Sequence, residues 1–269
     1  MNEIVKSIIL GIVEGITEFL PISSTGHLII INRFIDFTGP FAKVFDVVIQ
    51  LGAILSVVVY FWKRLVPFGS HLTPEKRSEI IDLWMKTIVG VIPALVLGAV
   101  FAGAIKKYLF NPITVAVALI VGGILLIYLE GRKREATITS VNKLGYKTAF
   151  LVGLIQCLAM VPGTSRSAAT IIGAMFLGTS RVVAAEFSFF LAIPTMTAAS
   201  AYSLLKADRM LTGQEWLVLA VGFVVSFIVA LAVIAGLMKY ISTRDFKPFG
   251  YYRIVLGVLV LVYFLLIAG

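Results

Sequence analysis

Six stretches of this chain, 44–62, 84–105, 112–130, 183–205, 217–240 and 252–268, are nearly unbroken runs of apolar residues. A helix crossing the hydrocarbon core of a bilayer needs about 20 such residues. In lipid every backbone polar group must find its partner within the chain, so such stretches are held to helices. The composition agrees: 59% of the residues are hydrophobic and only 14% are charged. Mean hydropathy is +1.02, well outside the balance of soluble domains. The expected fold class is therefore all-α, a polytopic membrane protein with six transmembrane helices. Pro93, Gly98, Pro194 and Gly222 fall inside these stretches, where lipid-embedded helices tolerate them at close packing points.

Two further apolar segments are interrupted. The first, 3–20, runs into Pro21-Ile22-Ser23-Ser24-Thr25-Gly26-His27 and resumes over 28–37. The second, 148–161, runs into Pro162-Gly163-Thr164-Ser165-Arg166-Ser167 and resumes over 168–177. Each half is too short or too polar at its tip to span. The pattern predicts two re-entrant helical hairpins whose irregular backbone is buried in protein or faces water. The segments also resemble each other. Gly11-Ile12-Val13-Glu14 lies over Gly153-Leu154-Ile155-Gln156 and, with one gap, Pro21-Ile22-Ser23-Ser24 lies over Pro162-Gly163-Thr164-Ser165. Three full spans follow each hairpin, an odd number that would invert one unit relative to the other. The expectation is one integral membrane domain over 1–269 built as an inverted repeat, about 1–130 and about 147–269. The two tips would converge near the midplane from opposite leaflets.

The formal net charge of +9 sits in short loops between apolar segments, which suits membrane topology and anionic headgroups better than nucleic acid. No nucleic-acid partner is expected. The loops after 62, 130 and 240 carry more Lys and Arg, among them Lys63, Arg64, Lys133, Arg134 and Arg244, than the opposite side, which includes Lys206 and Arg209. Those loops are assigned to the cytoplasm, so both termini and the mouth of the first hairpin should face outward. His71 lies in one of the charged loops and reads as solvated surface. Cys157 is the single cysteine, which excludes an intramolecular disulfide and a multi-cysteine metal site. Met1-Asn2-Glu3 has no basic n-region, and the start reads as mature sequence.

Glu14 and Glu18 stand four residues apart, on one face of a helix. Ionisable groups at membrane depth are expensive and usually mark a site. Such a pair can hold a divalent cation through oxygen ligands. Alternatively, like charges side by side create a general acid or base. Ser23, Ser24 and Thr25 add hydroxyls, and His27 adds a group that titrates near neutrality. At the second break, Gly163, Thr164, Ser165 and Ser167 surround a fresh helix start, a natural anion site. There Arg166 adds a planar fork matched to phosphate oxygens. Arginine at this depth needs an anionic partner, and Glu14, Glu18 or a ligand are the candidates. The plainer reading makes Ser165 and Ser167 helix caps and lets Arg166 snorkel to the surface. Together the tips carry the equipment to hydrolyse a phosphate ester or anhydride at a lipid interface.

The run from Glu14-Gly15-Ile16-Thr17-Glu18 through Pro21-Ile22-Ser23-Ser24-Thr25-Gly26-His27 closely resembles the acidic signature of the undecaprenyl pyrophosphate phosphatase, or bacitracin-resistance, family. Pro162-Gly163-Thr164-Ser165-Arg166-Ser167 is similar to its second signature, and length and helix pattern match along essentially the whole chain. The resemblance implies a bacterial inner-membrane enzyme that removes the terminal phosphate of undecaprenyl diphosphate and recycles the lipid carrier for cell-wall synthesis. It also implies a divalent cation, Mg²⁺ or Ca²⁺, and tolerance of bacitracin. The family's functional residues fall on Glu14, Glu18, Ser23, Ser24, His27, Ser165 and Arg166. The best candidate nucleophile is Ser24, with His27 moving its proton, while direct attack by an activated water stays open. Phosphatidic-acid-type lipid phosphatases share a Ser-Gly-His element echoed in Ser24-Thr25-Gly26-His27, but no histidine follows Ser165-Arg166, and that match fails.

The alternative class is an inverted-repeat transporter or flippase of polyprenyl phosphate lipids, since broken helices meeting at midplane also suit alternating access. A carrier needs Arg166 and helix ends, but not carboxylates, hydroxyls and an imidazole crowded at one tip. The sequence leaves a homodimer open.

Overall fold

A computed structural model describes residues 1–69, 72–132, 135–205 and 211–266. His71, Lys133, Arg134, Lys206 and Arg209 lie outside the described residues. The elements of the described residues are mostly α-helices: α1 (Glu3–Thr17), α2 (Ser24–Ile35), α3 (Pro40–Tyr60), the single turn α4 (Trp62–Leu65), α5 (Pro74–Leu109) and α6 (Pro112–Gly131). There follow α7 (Tyr146–Gln156), α8 (Arg166–Phe176), α9 (Arg181–Leu205), α10 (Gly213–Ile241) and α11 (Lys247–Leu266). Among the described residues six helices, α3, α5, α6, α9, α10 and α11, are long and apolar enough to cross a membrane. The protein is a multi-pass membrane protein.

Observed helices outrun the apolar windows because their ends are set by caps, which hydropathy does not register. Thr73 Oγ1 accepts the Lys76 N–H at 3.3 Å and Pro74 opens α5. Asn111 Oδ1 accepts the Thr114 N–H at 2.9 Å before Pro112 opens α6. Thr212 and Glu215 form a reciprocal capping box at the start of α10. The window 148–161 resolves into α7 followed by a 3₁₀ turn, Cys157–Met160, where the chain tightens ahead of Pro162.

Each broken segment packs its first arm against its second, α1 on α2 and α7 on α8. The first arms also cross long helices from the other half of the chain: α1 lies along α10, and α7 along α5. Glycine permits both crossings. A Cβ on Gly11 would stand 2.8 Å from the Gly222 carbonyl oxygen, and one on Gly153 would collide with the Gly90 carbonyl. Helices in lipid associate through such close backbone approach. Between the two crossings lies the main core. Phe19 meets Phe189 edge-on with centroids 5.2 Å apart, and Phe61 meets Phe190 at 5.0 Å. Phe19 follows Glu18 and Phe189 follows Ser188, so this aromatic wedge fixes the backbone on both sides of the polar centre.

The two breaks share a backbone device. Ser23 and Ser165 are non-glycine residues at positive φ, 75° and 70°. Each caps the next helix through its hydroxyl, Ser23 taking the Gly26 N–H at 3.3 Å and Ser165 the Ala168 N–H at 3.2 Å. This pairs Ser23 with Ser165 and corrects the gapped register expected from sequence, which set Ser24 opposite Ser165. With the caps matched, Gly11 and Gly153, Glu14 and Gln156, and Ser24 and Arg166 fall opposite one another with no gap.

Candidate active site

Glu18 sits at the C-terminal end of α1, its N–H donating to the Glu14 carbonyl at 3.0 Å. Its carboxylate is only 6% exposed by residue and does two things at once. Oε2 accepts the Ser24 hydroxyl at 2.6 Å, and Oε1 lies 3.3 Å from Arg166 Nη2. The carboxylate of the first tip therefore meets the guanidinium of the second, and Arg166 does not snorkel. Its Nη1 donates to the Ser188 carbonyl at 2.9 Å, and its Nε is buried without a partner. Glu14, one helical turn before Glu18, is fully buried, and neither of its carboxylate oxygens has a hydrogen-bond partner. An uncompensated carboxylate is too costly to leave in such a place unless a cation or proton joins it.

The remaining predicted residues divide between scaffold and site. Ser23 and Ser165 cap α2 and α8, and the Ser165 and Ser167 hydroxyls lie 3.0 Å apart. Ser167 donates to the Leu20 carbonyl at 2.8 Å, tying the second tip to the first. At φ 90° and packed so that a Cβ would strike the Val115 backbone, Gly163 has no substitute. Thr164 contributes its backbone, and Thr25 is exposed with no bond to the cluster. His27 is buried, but it does not reach Ser24: Nδ1 bonds the Ser23 carbonyl at 2.7 Å and Nε2 bonds the Tyr252 hydroxyl at 2.7 Å. The group in contact with the Ser24 hydroxyl is the Glu18 carboxylate instead.

Sequence reasoning missed Arg253. Fully buried, its guanidinium donates to the carbonyls of Leu119, Ala118, Pro21, Gly163 and Thr164 at 2.9–3.3 Å. It clamps both tips to α6 and adds positive charge beside them. The signal was present, an arginine inside an apolar span, but it lay outside either motif.

Fold and site define a class: multi-pass membrane proteins that join a carboxylate pair, a hydroxyl and a guanidinium where two broken helices meet. Residues 7–259 match the family described as Bacitracin resistance protein BacA, and the chain belongs to that family. Undecaprenyl-diphosphatase 1 of Clostridioides difficile (strain 630) is 54% identical over 267 residues, covering 98% of this chain and 97% of that one. Undecaprenyl-diphosphatase of Limosilactobacillus fermentum (strain NBRC 3956 / LMG 18251) is 51% identical over the full length of both. That of Enterococcus faecalis is 49% identical, covering 96% of each chain.

Proposed function

We propose that the paired tips grip the diphosphate headgroup of undecaprenyl diphosphate and hydrolyse its terminal phosphate, giving undecaprenyl phosphate and orthophosphate. Membership of the family and the relatives named undecaprenyl-diphosphatase support the activity. The observation that carries the site is the Glu18 carboxylate shared between Ser24 and Arg166. The transporter alternative is not favoured, since the relatives are named for a phosphatase. Release of the monophosphate returns the carrier lipid to peptidoglycan synthesis, and its abundance underlies tolerance of bacitracin. In this reading the chain lies in the bacterial inner membrane with the first hairpin re-entering from the outer side, where the loop charges put it. The two halves form an inverted repeat. A homodimer is compatible with the reading, although one chain supplies every residue of the site.

Arg166, the N–H groups at the start of α8 and the positive field of Arg253 hold the phosphates. Ser24 Oγ attacks the terminal phosphorus as Glu18 Oε2 takes its proton, and the bridging P–O bond breaks with its electrons on the departing monophosphate. Water then attacks the phosphoserine with His27 as base, and orthophosphate leaves. Glu14 and Glu18 would hold the divalent cation, Mg²⁺ or Ca²⁺. The unpartnered Glu14 carboxylate and the hard oxygen donors suit that ion. Among the described residues no three or more His, Cys, Asp or Glu side chains converge as a metal cage, so these two carboxylates are the protein's share. When bound, the ion would neutralise charge on the phosphate oxygens.

Phosphate release from detergent-solubilised protein, with and without chelator, tests the reading. Chelator should stop release, and Glu18→Gln should cut it by about 10²-fold or more, the scale of a lost general base. Wild-type release from Glu18→Gln and His27→Ala would overturn the site. Trapping phosphate on Ser24 in a slow variant would support the covalent route, and full activity in Ser24→Ala would eliminate it.

A further inference from the structure

The two nitrogens of His27 have unlike partners, and that difference fixes where its proton sits. Nδ1 lies 2.7 Å from the Ser23 carbonyl oxygen, which can only accept, so Nδ1 carries the hydrogen. In the neutral ring Nε2 is then the bare nitrogen, and its partner at 2.7 Å, the Tyr252 hydroxyl, is the donor. The two ring planes are 3° from parallel with centroids 5.6 Å apart, which limits tilting of the imidazole. Tyr252 is itself held in place, because Arg253, its neighbour on α11, is locked to five carbonyls. The left-handed backbone of Ser23 gains a reason as well: the same residue caps α2 and presents its carbonyl to Nδ1.

We infer that Tyr252 is a positioning residue for the reaction, its hydroxyl holding the Nε2 edge of the His27 ring in place while the Ser23 carbonyl keeps the hydrogen on Nδ1. The inference rests on the proposed role of His27 as base. In the hydrolytic step water takes the phenol's place at Nε2 and forms an O–P bond. One of its protons passes to Nε2, and the bond from phosphorus to Ser24 Oγ breaks with the electron pair on Oγ, which takes back the proton held by Glu18 Oε2. Tyr252 is 45% exposed, so its hydroxyl can move aside without unpacking the core. The Nδ1 bond to a backbone carbonyl sets the tautomer, and the bond at Nε2 adds the orientation of the ring.

Tyr252→Phe keeps the ring and removes only the hydroxyl. It should lower kcat about tenfold, a part of the 10²–10⁴-fold that a general base supplies, while KM stays within about twofold. In protein labelled with ¹⁵N-histidine, the His27 Nε2 resonance should shift as its hydrogen bond is lost, while Nδ1 stays protonated on the Ser23 carbonyl. In a His27→Ala background, Tyr252→Phe should cost nothing further, because its effect passes through His27. Wild-type kcat and unchanged His27 resonances in Tyr252→Phe would overturn the inference while leaving the phosphatase reading intact. Wild-type phosphate release from His27→Ala would instead remove the base on which both depend. Should Tyr252→Phe unfold, fluorotyrosine at position 252 alters only the acidity of the phenol. A changed kcat there supports the positioning role, and an unchanged kcat with unchanged His27 resonances refutes it.

Discussion

At both tips a serine in a left-handed conformation caps the next helix, Ser23 at φ 75° and Ser165 at φ 70°, yet the side chains set around the caps have opposite chemistry. The residue after the cap is Ser24 in one and Arg166 in the other, and both end on the Glu18 carboxylate. On the preceding helix the Glu14 carboxylate has no hydrogen-bond partner, while its counterpart Gln156 donates to the Thr195 hydroxyl at 3.3 Å. Backbone strain of this kind costs on the order of 1–3 kcal/mol per residue and persists only where the surroundings over-determine it. Carrying it twice for one local geometry indicates that the geometry is what both tips need: a helix start whose first residue aims its side chain at a shared point. The charge then divides. In the proposed reaction one tip supplies the proton and cation chemistry and the other grips the anion.

That division is broken most severely at Arg166. Arg166→Ala removes the guanidinium that joins the second tip to the first tip's carboxylate, and it leaves Glu18 without a cation beside an unpartnered Glu14. Phosphate release should fall by about 10²–10³-fold, the cost of losing a preorganised charge-assisted donor, with membrane insertion unchanged. Arg166→Lys should recover little, since a point charge cannot serve Ser188 and Glu18 together as the fork does. Near-normal release by Arg166→Ala would mean that the second tip is only a structural echo of the first.

The spans and both breaks were legible in the sequence because hydropathy and a Pro–Gly–Ser interruption are local signals. That Glu18, Ser24 and Arg166 come together is an expectation from polar residues at membrane depth, although the sequence also allows Arg166 to snorkel. What escaped was set by contacts between distant parts of the chain. His27 beside two serines suggested a base for Ser24, but helix geometry turns its ring back to the Ser23 carbonyl and on to Tyr252, more than two hundred residues away in the chain. Arg253 lay in a span that hydropathy had already accounted for, and its partners are backbone carbonyls, which no residue pattern displays. The repeat register slipped for a related reason. Proline was matched to proline, whereas the structure matches cap to cap.

Arg253 joins the two tips, and its removal should be the next largest loss. Arg253→Met keeps an unbranched apolar stem but withdraws every donor from five carbonyls. Leaving a buried acceptor unpaired costs about 1–3 kcal/mol, so the melting temperature in detergent should drop clearly and release should fall by about tenfold or more. Arg253→Lys, with three donors, should recover part of both. A Met variant that melts like wild type would show that the tips hold their relation without the clamp.

The gentlest probe is the hydrogen bond from Ser167 to the Leu20 carbonyl, 2.8 Å long, which ties the second tip directly to the first. Ser167 is buried, 1% exposed, and its hydroxyl also lies 3.0 Å from that of Ser165. Ser167→Ala leaves the cap of α8 in place, because the Ala168 N–H bonds Ser165. The loss should be about 1 kcal/mol, the net worth of one such bond, or roughly fivefold in any step that needs the tips in register. Since Ser167 touches neither Glu18 nor Ser24, the effect should fall on KM if it loosens the phosphate grip, and kcat should hold. A drop in kcat with KM unchanged would place Ser167 among the reacting groups and would move the line between the gripping tip and the reacting tip.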